Sequence, residues 1–209
     1  MEVTVHDTIA EVLTFWFGST DLTALADDSK QTMWWQGGPD LDAEIIARFG
    51  ALHAEAAAGQ LDEWRVSLHG RLALILVLDQ LSRNIHRGTP TAFAQDPAAC
   101  ALTLAALDLD LHRDLGLHQQ TFLLMPLEHT EDLALQERCV VEFTRLVDTA
   151  PADQRGYAIY LRGFAEKHRD IIARFNRFPH RNPILGREHT AEEAAWLAEG
   201  GESFGQAKG

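Results

Sequence analysis

Residues 72–87 read LALILVLDQLSRNIHR. Leu72 to Leu78 are apolar on every face of a helix, and a helix that is apolar all round belongs inside a protein. Asp79, Arg83 and Arg87 then follow at four-residue spacing on one stripe, with Gln80 and Asn84 on the adjoining one. Polar groups therefore emerge where a buried central helix ends, a place suited to a pocket floor. A buried helix needs other helices around it, and the flanking sequence supplies them.

Asp62 is a suitable N-cap for this helix, and Gly88, Thr89 and Pro90 end it near Arg87. Upstream, Thr8 to Phe17 is amphipathic and stops at Gly18. A polar stretch follows to Lys30, then the bulky anchors Met33, Trp34 and Trp35. Pro39 and Asp40 open a helix with Leu41, Ile45, Phe49, Leu52 and Ala56 at helical spacing until Gly59. Downstream, Asp96-Pro97 starts a helix to about Leu115, and Pro126 starts another that Pro151 breaks. The next runs from about Ala152 to Phe175. Phe178-Pro179 and Asn182-Pro183 mark an irregular loop, and Thr190 with Glu193 is a capping box for a short last helix. Strand alternation and hairpin dipeptides are missing. The expectation is an all-α, irregular array of about eight or nine helices in a single domain spanning 1–209, with the Gly-rich stretch 200–209 frayed.

The net charge of -13 argues against a chain that coats nucleic acid or an anionic membrane, since both need a large basic face. The N-terminal MEVTVHDTIAEVL has neither a basic leader nor a continuous apolar core, and Leu72 to Leu78 is too short to span a bilayer. Cys100 and Cys139 make no CxxC, so neither a disulfide framework nor a cysteine zinc site is expected and a reducing cytoplasm fits best. Fifteen arginines stand against three lysines, a skew that favours bidentate anion contacts unless it reflects base composition alone.

Three segments concentrate the polar residues that could form a site. At the end of the central helix, Asp79, Arg83, Asn84 and Arg87 either line a pocket or serve as a helix-surface ion pair and a dipole complement. In Glu128 to Glu137, EHTEDLALQE, His129 sits beside Glu128, Glu131 and Asp132. Carboxylate–histidine clusters do acid–base or metal work, but no HExxH or His-x-His pattern completes a metal set here, and neither metal nor cofactor is expected. The acids also suit a helix N-terminus. The third segment, His168 to Arg187, is the least ordinary. From Ile171 to Arg187 it holds Arg174, Arg177, Arg181 and Arg187, one histidine and no acid, a local reversal of charge. Either an anion neutralises these guanidinium groups, or Asp79, Glu128, Glu131 and Asp132 do so internally.

The stretches VLTFWFG (Val12 to Gly18), Trp34-Trp35, LDQLSRNIHRGTPTAFAQDP (Leu78 to Pro97), MPLEHTEDLALQE (Met125 to Glu137) and RFNRFPHRNPILGR (Arg174 to Arg187) together make the chain resemble the bacterial family called domain of unknown function 924. The resemblance covers nearly the whole chain, departing at Leu81-Ser82, where an aromatic and a proline would be expected. It implies an all-helical, tetratricopeptide-like superhelix, although that repeat's own consensus is missing. It implies no activity, so no catalytic residue carries over.

The leading expectation is a helical protein whose three segments converge on a small anionic ligand, a phosphate or carboxylate. Asp79, Arg83, Asn84, Arg87, Glu131, Asp132, Arg177, Arg181 and Asn182 would bind it, and His129, His168 and His180 would be available for proton transfer. The alternative is an interaction scaffold whose groove takes an acidic or C-terminal peptide. Trp16, Trp34, Trp35 and Trp64 are expected to serve packing.

Overall fold

A computed structural model describes residues 4–204. The helices introduced below are numbered along the chain: α1 Val5–Phe17, α2 Asp28–Gln36, α3 Pro39–Ala57, α4 68–85, α5 Asp96–Asp108, α6 Leu117–Glu128, α7 Leu133–Thr149, α8 Arg155–Phe175 and α9 Ala191–Ala198. Among the described residues these nine helices and short 3-10 turns are the regular structure, and there is no strand.

The central rod is α4. It starts as an α-helix over Leu68–Ile75, passes through a π-helical turn at Leu76–Leu81 and resumes as Ser82–Ile85. Every residue from Leu72 to Leu78 is at most 3% exposed, because α1, α3, α5 and α6 all pack on the rod. The seven-residue apolar run is thus buried on every side, as its pattern requires. Ser67, not Asp62, caps this helix, accepting from Gly70 N. Asp62–Val66 forms a separate 3-10 turn that buries Trp64. Gly70 is what lets that turn lie against the rod, since a Cβ there would run into the Trp64 carbonyl. Gly70→Ala is expected to destabilise the protein by about 3 kcal/mol, as other over-packed backbone contacts do. Urea unfolding reads this loss, and a loss below about 0.5 kcal/mol would mean the turn is free to shift.

Around the rod, Gly18 ends α1 at φ 82° and Thr190 with Glu193 caps α9 reciprocally, as expected. Helix α1 starts at Val5 rather than Thr8, because Thr4 and Asp7 cap it reciprocally, and α5 ends at Asp108 rather than near Leu115, with a 3-10 turn at Leu111–Asp114 between it and α6. Two further elements differ from expectation. The sequence gives no sign of α2, because it is short and polar with no apolar stripe; Asp27 caps it and Trp34 anchors it through a hydrogen bond from Nε1 to the Trp16 carbonyl. Pro126 lies inside the last turn of α6 rather than opening the next helix, so Glu128 ends one helix and Asp132 caps another. Pro126 lacks the N–H that would reach the Phe122 carbonyl, which weakens the last turn, and the helix ends two residues later at Glu128.

The main core runs from Ile9 to Ala165, and a second small cluster of Ile171, Ile172 and Phe178 joins the end of α8 to Trp196 and Phe204. The 200–204 stretch, expected to fray, instead turns at Gly200 (φ 94°) and lays Phe204 flat on His168, with ring centroids 3.6 Å apart. Residues 205–209 lie outside the described residues. No described helix is long and apolar enough to cross a membrane.

Candidate functional site

Where the rod emerges from the core, a cavity of about 730 Å³ opens between α2, α4, α6, α8 and the 176–190 loop. Part of its wall is polar, with Gln80, Arg83, Glu128, His129, His180 and Arg181, and part is aromatic, with Trp16, Trp34, Trp35, Tyr160 and Phe164. Trp16 and Trp64 are core residues, 3% and 2% exposed, and Trp34 packs on Trp16 and Phe122, as expected, while Trp35 is the most exposed of the four.

The polar wall is organised by Asp79, which sits in the π-helical turn and is fully buried. Such turns recur at functional positions because they push an extra backbone residue out of the regular ladder. Asp79 accepts from His129 Nδ1 at 2.7 Å and from Gln80 Nε2 at 2.6 Å, and Arg83 Nη1 lies 3.0 Å from the same carboxylate. Burial alone would raise its pKa, but the charge of Arg83 and the bonds from His129 and Gln80 outweigh that and keep it ionised. An ionised carboxylate only accepts, so His129 must carry its proton on Nδ1. Burial, then Arg83, hold His129 below the usual imidazole range. It is thus a neutral ring whose Nε2 lone pair has no hydrogen-bond partner among the described residues.

Next to this pair, Glu128 is 4% exposed, and burial together with the Asp79 charge pushes its pKa up to about 8. It is a neutral carboxylic acid at pH 7. Its Oε2 lies 4.0 Å from His168 Nδ1, which is engaged with the Phe164 carbonyl at 2.8 Å. Burial lowers His168 to about 3, and burial followed by the neighbouring Arg181 lowers His180 to about 4. Three neutral imidazoles and a protonated carboxyl therefore face one another.

The two cations of the wall share two carboxylates unequally. Arg83 donates to the Asp79 carbonyl at 2.8 Å and to Asp96 at 3.1 Å. Arg181, 5% exposed, donates from Nη1 to the His129 carbonyl at 3.0 Å and reaches the same Asp96 only at 3.5 Å. Its Nε has no partner among the described residues, and its plane lies over Phe178 and Phe93, 4.3 and 4.7 Å away. Burial, then repulsion from Arg83, bring its pKa down to about 10. Arg181 is a buried guanidinium whose one ion pair is long and shared with Arg83.

Of the residues singled out in the sequence, Asp79, Arg83, His129, His168, His180 and Arg181 meet at this wall. Asn84 and Arg87 reach the rim, where both donate to Asp42 of α3 at 2.6–2.8 Å. The other four lie elsewhere. Arg177 pairs with Glu193 at 2.6 and 2.7 Å, and Asn182 bonds Arg187 and Glu193. Glu131 receives Arg187 in a two-point pair at 2.6 and 2.8 Å and also the Phe178 N–H, while Asp132 caps α7. These pairs brace the 176–190 loop and so position Arg181; the arginines of the acid-free run find their acids 56 and 85 residues away in the chain or in α9. Sequence reasoning missed Asp42 and Asp96 as counter-charges. It read Asp96 as a cap, whereas Asp96 is the first residue of α5 and bridges Arg83 and Arg181.

An all-helical array with a part-polar, part-aromatic cavity at the end of its buried central helix is the class that these features define. The chain belongs to the bacterial proteins of unknown function (DUF924), whose pattern it matches over residues 12–201. It is also similar to a solved protein of unknown function from Agrobacterium tumefaciens, at 33% identity and a TM-score of 0.79, with 94% of this chain and 99% of that one covered. No curated protein matches.

Proposed function

We propose that the protein binds a small organic anion, its carboxylate or phosphate on Arg181 and its apolar body against the aromatic wall. The observation that carries this is the state of Arg181: buried on a cavity wall, without a full carboxylate partner and short of a bond at Nε. A buried charge in that condition is stabilised by an incoming anion, and the gain is greater than at the surface. Trp35 and Tyr160, 49% and 58% exposed beside the cavity, are flat apolar surface available for a ligand's body. A walled space of this size suits a small molecule better than an extended peptide. The buried free thiols of Cys100 and Cys139 accord with a reducing, cytoplasmic setting.

The test is calorimetry with phenylacetate and inorganic phosphate. At least one should bind the wild type, with affinity falling about tenfold or more in Arg181→Met, the effect of losing a charge-assisted bond. Arg113→Met should bind normally, since Arg113 is exposed outside the cavity and pairs only with Asp110. Equal affinity in wild type and Arg181→Met would refute the assignment.

A further inference from the structure

The polar wall holds more than an anion needs. Binding explains Arg181, but it does not explain a histidine aligned by a buried carboxylate with its second nitrogen left open, next to a buried neutral carboxyl. We propose that the cavity is an acid–base active site in which His129 takes a proton from a carbon atom of a bound 2-oxo acid and Glu128 supplies a proton to the carbonyl oxygen. This rests on the anion-pocket reading, with the substrate carboxylate on Arg181.

Three observations support it. The 2.7 Å bond from Nδ1 to Asp79 fixes both the ring and its tautomer, so Nε2 is the basic atom. Glu128, adjacent in sequence, lines the same cavity and is a proton donor at neutral pH. A serine or cysteine nucleophile is missing from the wall among the described residues, and the Thr121 hydroxyl is tied to the Leu117 carbonyl at 2.8 Å. Base, acid and anion site without a nucleophile are the set required to move a proton next to a carbonyl.

The step balances. The C3–H bond of the 2-oxo acid breaks and its proton forms N–H at His129 Nε2. The C–H electron pair becomes the C2–C3 double bond, the carbonyl π pair moves to oxygen, and that oxygen takes the proton of Glu128. The product is the enol, and the reverse step returns a solvent-derived proton to carbon. Asp79 touches no reacting atom; it is a positioning residue.

Phenylpyruvate in D2O is the probe, because it joins a carboxylate, an enolisable CH2 and a flat ring. Proton NMR reads loss of the C3 protons, and tryptophan fluorescence reads binding. Wild type should accelerate exchange saturably. His129→Gln and Glu128→Gln should each lower the rate at saturation about 100-fold, the usual weight of one acid or base, with binding retained. Asp79→Asn should lower the saturating rate while leaving half-saturation near the wild-type value, a split that simple loss of packing would not give. Arg181→Met should raise half-saturation, and Arg113→Met, at an exposed pair with Asp110 outside the cavity, should change neither. Exchange by His129→Gln at the wild-type rate, or binding of phenylpyruvate without any acceleration by wild type, overturns the acid–base inference and leaves the anion pocket standing. If phenylpyruvate, phenylacetate and phosphate all fail to bind wild type, the pocket reading fails and takes this inference with it.

Discussion

Replacing Asp79 by asparagine is expected to cost about 3–5 kcal/mol of unfolding free energy, the range for breaking one partner of a buried charge network. For a chain of this size that is a fall in Tm of roughly 10 °C. The reason lies in what remains. Arg83 and Arg181 would be left beside each other with only Asp96 between them, and His129 would be held by a neutral amide oxygen in place of a carboxylate. An asparagine keeps the shape but removes the charge that both guanidinium groups feel. Pairing Asp79→Asn with Arg83→Met should recover part of the loss, because the double variant no longer buries the uncompensated charge. Urea unfolding of the two single variants and the double one measures this. A cost below about 1 kcal/mol for Asp79→Asn would show that the network is wetter and looser than its burial indicates.

Stability should also peak in mildly acidic to neutral solution, with a different group controlling each limb. Glu128 rises from its ordinary 4.5 to about 8 on folding. In that window the folded chain holds a proton that the unfolded chain has released, so stability falls as pH rises through it. His168 drops from 6.5 to about 3 and His180 from 6.5 to about 4. Their contribution is complete above pH 6.5 and is lost as pH falls towards the folded values, since the unfolded chain then binds protons that the folded one excludes. Glu128→Gln should remove most of the alkaline limb and gain on the order of 3 kcal/mol over wild type at pH 8.5. At pH 4.5 it should differ little. His168→Gln should instead flatten the acid limb. Unfolding curves from pH 4 to 9 test both, and a Glu128→Gln profile parallel to wild type would show that Glu128 is ionised in the fold.

Helices announce themselves in this sequence through local chemistry, which is why most were legible. Pro39, Gly18, Gly59 and the Thr190–Glu193 box act within one turn of where they stand. The apolar run 72–78 is equally local, since no exposed helix tolerates it. The failures come where a neighbour decides. Helix α2 has almost no apolar face of its own and exists because Trp34 finds Trp16 and Phe122. The arginines of 174–187 look unpaired because their acids are distant in sequence, and a period gives the face a residue occupies but not what lies opposite. Arg181 could not be told from Arg177 for the same reason. Glu128 was hidden by Pro126, which reads as a helix start but stands in a helix end, turning an apparent dipole-stabilising acid into a buried one. The histidines were the better guide, because His129, His168 and His180 all reach the cavity.

The π-helical turn in α4 has a consequence for how this fold tolerates change in length. An α-helix advances about 100° per residue, and the wide turn at Leu76–Leu81 absorbs one residue more than a regular turn would. Deleting a single position there would let the rod close into a continuous α-helix and would leave Arg83, Asn84 and Arg87 on nearly the faces they now occupy, because about five α-helical residues turn as far as the residues of the wide turn do. What would be lost is the outward push within the turn itself, where Asp79 stands. A one-residue gap at this turn would therefore separate relatives that keep the scaffold from those that keep the aim of the buried carboxylate, and it could be read from an aligned pair of sequences by counting.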